Sequence, residues 1–264
     1  MHSSALGIIL ASAAMVSAMP TAHQPRQDSI DDVLPPIVPI NTRANDADFI
    51  AELRTAATAE DRAKLLDQPG DYVFDFASDS PPEVTKGKGG RSVAADAKTM
   101  PALVGLDSSM TVGFLGPCGM NTAHVHPRAT ELNIVVKGRL VTSFIPQNKV
   151  TAIANTMDTY QMSVFPQGAI HQEFNPDCTD AVFVAAFNDE DPGVNTVAQN
   201  FFGLGDDIVQ ATLGGPVSFD GADIDTFRKA IPDNIALGID ACLSKCGIQR
   251  NKKRGVAELL PTKD

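Results

Sequence analysis

Apolar residues change their spacing twice along this chain. Over residues 45–67, Phe49, Ile50 and Leu53 fall on one helical face, with Asn45 or Asp46 placed to cap the start. Thr58 opens a second turn, with Asp61 at its third position and Leu65 and Leu66 as apolar contacts, and Pro69-Gly70 stops it. From Asp71 the spacing shortens to two. DYVFDFA (71–77) alternates as a strand does, and the polar, Gly/Pro-rich residues 78–100 read as a long surface loop. Short strands are predicted at Met110–Leu115, Thr122–His126, Leu132–Val136, Leu140–Ile145, Gln161–Phe165, His171–Phe174 and Ala181–Phe187, with Lys137-Gly138 turning a hairpin between the third and fourth. Helical spacing returns at 206–214, 223–230 and 232–247, where Gly247 is the stop. Many short strands between helical flanks predict an all-β sandwich or barrel.

Composition narrows the function classes. Of 264 residues, 43% are hydrophobic, enough to bury a sizeable core. Asp+Glu is 32 against Lys+Arg 21, a net charge of −11, which argues against nucleic acid as a partner. Residues 5–16 (ALGIILASAAMV) have the length of a secretory signal core, with a cleavage site after Ala18. No later run is long and apolar enough for a transmembrane segment. The expected organisation is a signal peptide at 1–18, an extended Pro-rich arm at 19–44, a folded domain at 45–247 and a basic tail at 248–264. A secreted, extracellular chain forms disulfides. Cys118 and Cys178, each just outside a histidine-bearing segment, are the favoured pair; Cys242 and Cys246, four apart on a predicted helix, could bridge locally or stay free.

The histidines carry the chemistry. His124 and His126 are two apart in a strand and project from one face, Glu131 returns a carboxylate past the Pro127 bend, and His171 arrives from a later strand. Three imidazoles and a carboxylate suit Mn²⁺ or Fe²⁺ in an octahedral shell with open positions; Zn²⁺ accepts such ligands in a tetrahedron, and copper and nickel fit the donor types. Glu173 is a weak candidate for a pocket acid and is expected to face away from His171.

The two segments resemble the paired motifs of the cupin superfamily. The first, G-x5-H-x-H-x3,4-E-x6-G, reads here Cys118-x5-His124-x-His126-x4-Glu131-x6-Gly138. The second, G-x5-P-x-G-x2-H-x3-N, reads Tyr160-x5-Pro166-x-Gly168-x2-His171-x3-Asn175. Cys118 and Tyr160 replace the leading glycines. HPRATE (126–131) and FVAAFNDEDPG (183–193) look like germin-like proteins and, more closely, the spherulin-like germins of fungi and slime moulds. The resemblance implies a single cupin jelly-roll β-barrel with an N-terminal helical arm and C-terminal helices, and Mn²⁺ on His124, His126, Glu131 and His171. It also implies a homo-oligomer, dimer or hexamer, clasped by those helices. Its activities would be those of a manganese oxidoreductase acting on a small carboxylate, of oxalate-oxidase type, or a superoxide dismutase; spherulins add a non-catalytic structural or stress protein of the cell wall or spore coat. Asn121 matches one substrate-holding asparagine of germin oxalate oxidases, and Thr111 stands where the other would be.

Overall fold

A computed structural model describes residues 30–77, 84–215 and 224–250. The expected signal peptide, the first part of the expected arm and the residues beyond 250 lie outside these. The chain divides into two units, Met1–Ile37 and Val38–Asp264. In the first, the described structure is one 3-10 turn at Ile30–Asp32.

The second unit opens with two short helices whose caps match the sequence. In α1 (Ala47–Thr55) the Asp46 side chain accepts from the Phe49 amide, and in α2 (Ala59–Leu65) Thr58 accepts from that of Asp61. Phe49 and Leu53, one turn apart, pack against Leu66, Ala97, Ala102 and Val104. The strand expected at 71–77 does not form. Pro69–Tyr72 is a 3-10 turn, because Asp71 is buried to pair with Arg43 while Tyr72 and Val73 face solvent.

One six-stranded antiparallel sheet follows the order β1 (Val84–Gly87), β2 (Gly90–Ala95), β3 (Ser109–Leu115), β10 (Ala181–Phe187), β5 (Glu131–Lys137), β8 (Met162–Phe165). The other runs β11 (Asn195–Thr196), β4 (Gly119–Val125), β9 (Ile170–Phe174), β6 (Leu140–Ile145), β7 (Ile153–Met157), with β12 (Ala236–Leu237) also pairing β4. Most successive strands change sheet, which makes a jelly roll. The Gly138 turn (φ 75°) therefore joins two sheets; it is not a hairpin. The two sheets stack instead of closing into the expected barrel, and Leu115, Val135, Leu140, Met157 and Phe183 fill the space between them. Phe183 packs against Gly113, where a Cβ would sit 2.2 Å from its ring.

Residues 84–95, expected as loop, form the β1–β2 hairpin. After β11 come α3 (Val197–Phe201), α4 (Asp206–Thr212), α5 (Ile224–Ala230) and α6 (Asp240–Lys245). The helix expected over 232–247 survives only as α6, since Ala236–Leu237 pairs with β4. Among the described residues no helix is long and apolar enough to cross a membrane.

The cysteine pairing differs from expectation. Cys118 bonds Cys242 and Cys178 bonds Cys246, so Cys118–Cys178 is not a bridge. The same-face spacing of Cys242 and Cys246 turns both sulfurs toward the sheet instead of toward each other. The two bridges bolt the C-terminal segment onto the start of β4 and the β9–β10 turn.

Candidate metal centre

His124 lies on β4, His126 just past its end, Glu131 opens β5 and His171 is on β9, opposite His124. All four are buried, and one ligand atom from each falls within 4.8 Å of the others. Stacking of Phe165 on His171 (centroids 4.5 Å) and contact of Phe187 with His126 (4.5 Å) hold the rings.

Hydrogen bonds fix the tautomers. Nδ1 of His124 lies 2.8 Å from the Thr122 carbonyl, that of His126 2.6 Å from Gly193, and that of His171 2.9 Å from Ala169. A carbonyl only accepts, so each Nδ1 carries the proton and each Nε2 presents a lone pair inward. Two of those lone pairs meet Glu131 Oε2, at 3.1 Å from His126 and 3.0 Å from His171. Convergent lone pairs on four acceptors repel unless positive charge lies among them. The donor set therefore fits a divalent cation.

Without metal, protons supply that charge unevenly. Burial and the neighbouring His171 charge lower His124 to about 3. Burial also opposes charge on His171, but the Glu131 hydrogen bond and the Glu173 and Glu131 charges raise it to about 9. Burial works against the Glu131 carboxylate too, yet His126 and His171 hold it below the usual carboxylate range. Glu173 is pushed up to about 8 by burial and then by the Glu131 charge.

A cavity of about 350 Å³ opens onto His124, His126 and Glu131. Thr111 and Asn121, both singled out from sequence, line it. Asn121 shares a face with His124 although three residues apart, because β4 bulges between them: Asn121 faces Glu173 and His124 faces His171. Glu173 does not face away from His171. Period-two alternation places residues 171 and 173 on one face, and Glu173 is fully buried.

Sequence reasoning missed two amides. Asn234, from the C-terminal segment, lines the cavity and donates to Asn121 Oδ1 at 2.7 Å. Its own Oδ1 accepts from the Thr122 amide and hydroxyl, both at 2.9 Å. Asn133 donates to Glu131 Oε1 at 2.9 Å. A polar residue at an inward position of ELNIVVK was the available signal for Asn133; nothing local marked Asn234.

The motif departures sit where the backbone is left-handed: φ is 56° at Cys118 and 68° at Tyr160, the conformation glycine adopts most easily. Asn175, which ends the second motif, is a structural knot, donating to the Gly116 and Thr179 carbonyls at 2.8 and 2.7 Å.

Residues 76–224, more than half of the chain, match the cupin family. Spherulin-1A of Physarum polycephalum is 42% identical over 200 residues, 76% of this chain and 79% of the relative. Germin-like protein 12-2 of Oryza sativa subsp. japonica is 32% identical over 170 residues, 62% of this chain and 74% of the relative. A solved oxalate oxidase, 24% identical, shares the fold with a TM-score of 0.51 over 62% of this chain and 84% of its own. The chain is thus a member of the cupin family, similar in sequence to spherulins and germin-like proteins.

Proposed function

We propose that this protein is a secreted, manganese-dependent cupin that binds a small carboxylate and oxidises it with dioxygen, which takes up the two electrons and two protons to give hydrogen peroxide, in the manner of an oxalate oxidase. One observation carries the reading: three Nε2 lone pairs and Glu131 Oε2 converge at a cavity sized for a small molecule. Mn²⁺ held by His124, His126, Glu131 and His171 would supply a Lewis acid and a redox couple. Fe²⁺ and Zn²⁺ are the lesser candidates, Zn²⁺ because it prefers four-coordination and carries no redox chemistry. No lysine or arginine lines the cavity among the described residues, so an acid would be held by the metal and by neutral donors. Asn121, Thr111 and Asn234 line the cavity and would be those donors. Two disulfides support an oxidising, extracellular compartment. Superoxide dismutation needs the same ligands and makes no demand on Asn121.

A second reading is non-catalytic. The ligands come from both sheets, Glu131 from one and His124 and His171 from the other, so a bound ion would staple them together and stabilise a structural protein. The deciding experiment adds oxalate to manganese-loaded protein and follows hydrogen peroxide. A metal-dependent signal that is lost in His126→Ala, and that falls in Asn121→Ala while the metal stays bound, is the expected result. Silence from a fully occupied sample removes oxalate oxidation and leaves the structural and dismutase readings.

A further inference from the structure

We infer that Asn133 is a positioning residue that restricts Glu131 to one ligating oxygen and so keeps a coordination position open for substrate. The inference rests on the metal-centre reading above. Asn133 follows Glu131 by two residues on β5, so both side chains enter the interior; they are 0% and 2% exposed. Glu131 turns Oε2 to the imidazoles and Oε1 away from them, onto Asn133 Nδ2. That nitrogen also lies 3.3 Å from Glu173 Oε1, so the amide group is shared between two carboxyl groups. The amide cannot be turned over, because its oxygen would then face the Glu131 carboxylate, which only accepts.

Asn133 Oδ1 has no hydrogen-bond partner among the described residues. A buried amide that leaves its carbonyl unpaired costs stability. What the position retains is the donor. A carboxylate without such a donor can grip a divalent ion with both oxygens. In an octahedral shell, four one-point ligands leave two positions and a two-point Glu131 leaves one. A small dicarboxylate that chelates through two oxygens needs both.

The test uses the full-length protein, loaded with Mn²⁺, and reads the electron paramagnetic resonance spectrum of the ion and the affinity for oxalate. In Asn133→Leu, Mn²⁺ still binds, its spectrum changes, and the oxalate dissociation constant rises roughly 10–100-fold, the range typical of groups that orient ligands. Thr142→Val is the packing control. Thr142 is equally buried beside Glu173 and its hydroxyl has no partner among the described residues, so neither readout should move. Should Asn133→Leu fail to fold, Asn133→Ala, which only removes atoms, carries the same test. A variant with wild-type spectrum and wild-type oxalate affinity overturns the inference and leaves the metal centre standing. A wild-type protein that binds no Mn²⁺ overturns both.

Discussion

His171 holds the proton that a metal must displace. Its Nδ1 proton is committed to Ala169, so a second proton can only sit on Nε2, against Glu131. With the folded pKa raised from 6.5 to about 9, the protonated form stabilises the metal-free fold. That contribution is complete below about pH 6.5 and is lost as pH rises through 9. Metal binding takes the opposite sign, since it needs the Nε2 lone pair. Between pH 7 and 9, Mn²⁺ affinity should rise at least tenfold per pH unit, with one to two protons released per ion, while the metal-free protein melts at progressively lower temperature. Calorimetry in buffers of different ionisation enthalpy reads the proton directly. A flat affinity with no proton release would show that His171 is already neutral at pH 7. His124, lowered to about 3, adds no proton in this range, whereas Glu173, pushed up to about 8, titrates within it and adds up to a second. At this scale the convergence of His124, His126, Glu131 and His171 was legible, because H-x-H on a strand and a paired motif fix their common face. Asn121 was legible only by resemblance, because its place beside His124 depends on a bulge that alternation does not reveal.

The C-terminal segment is held by covalent bonds where its own packing is thin. α6 contributes Cys242 and Leu243 to a small cluster with Cys118 and Phe174, and β12 pairing, the Asn234 hydrogen bonds and the two bridges add to that hold. Cys118–Cys242 spans 124 residues, a long loop whose closure restricts the unfolded chain strongly. Replacing that pair together, as Cys118→Ser with Cys242→Ser, should cost about 2–5 kcal/mol in urea unfolding. It should also loosen Asn234 from Asn121, because residues 234–242 would be tied down one bridge later. A cost below about 1 kcal/mol would mean that β12 pairing and the Phe174 contacts hold the segment unaided. Element boundaries were legible where alternation was unbroken, as in Leu140–Ile145 and Ala181–Phe187, read to their last residue. The β1–β2 hairpin was hidden because VTKGKGGRSVAA is rich in Gly and Lys, residues that serve as well in a loop as at a sheet edge. Disulfide partners were not legible, since strand order decides which turns meet the last helix.

Across the whole molecule, one sheet has an apolar surface that the fold leaves open. On its outer side, register aligns Met110, Ala186, Leu132 and Val164 in one row, and Val184, Ile134 and Met162 in the next, a row whose β3 end, Val112, is buried. Leu132, Val164 and Met162 are 42%, 44% and 56% exposed. Single exposed apolar residues are ordinary, but two registered rows without a charge mark an interaction surface. The same rows lie on every copy, so two copies related by a two-fold axis present matching apolar faces to each other. The chain carries a net charge of −11, and a face free of like charge is the part of such a surface that can approach a copy without repulsion. We therefore expect a homodimer, at least, with this sheet at its centre. Val164→Glu would place two carboxylates in the dry middle of that contact, while the inward Phe165 beside it keeps its stack on His171. Light scattering on the eluting peak should then give a monomer that retains Mn²⁺. A wild-type protein already monomeric at tens of micromolar, or a Val164→Glu variant with unchanged mass, would assign the apolar rows to some other partner and leave the metal centre complete within a single chain.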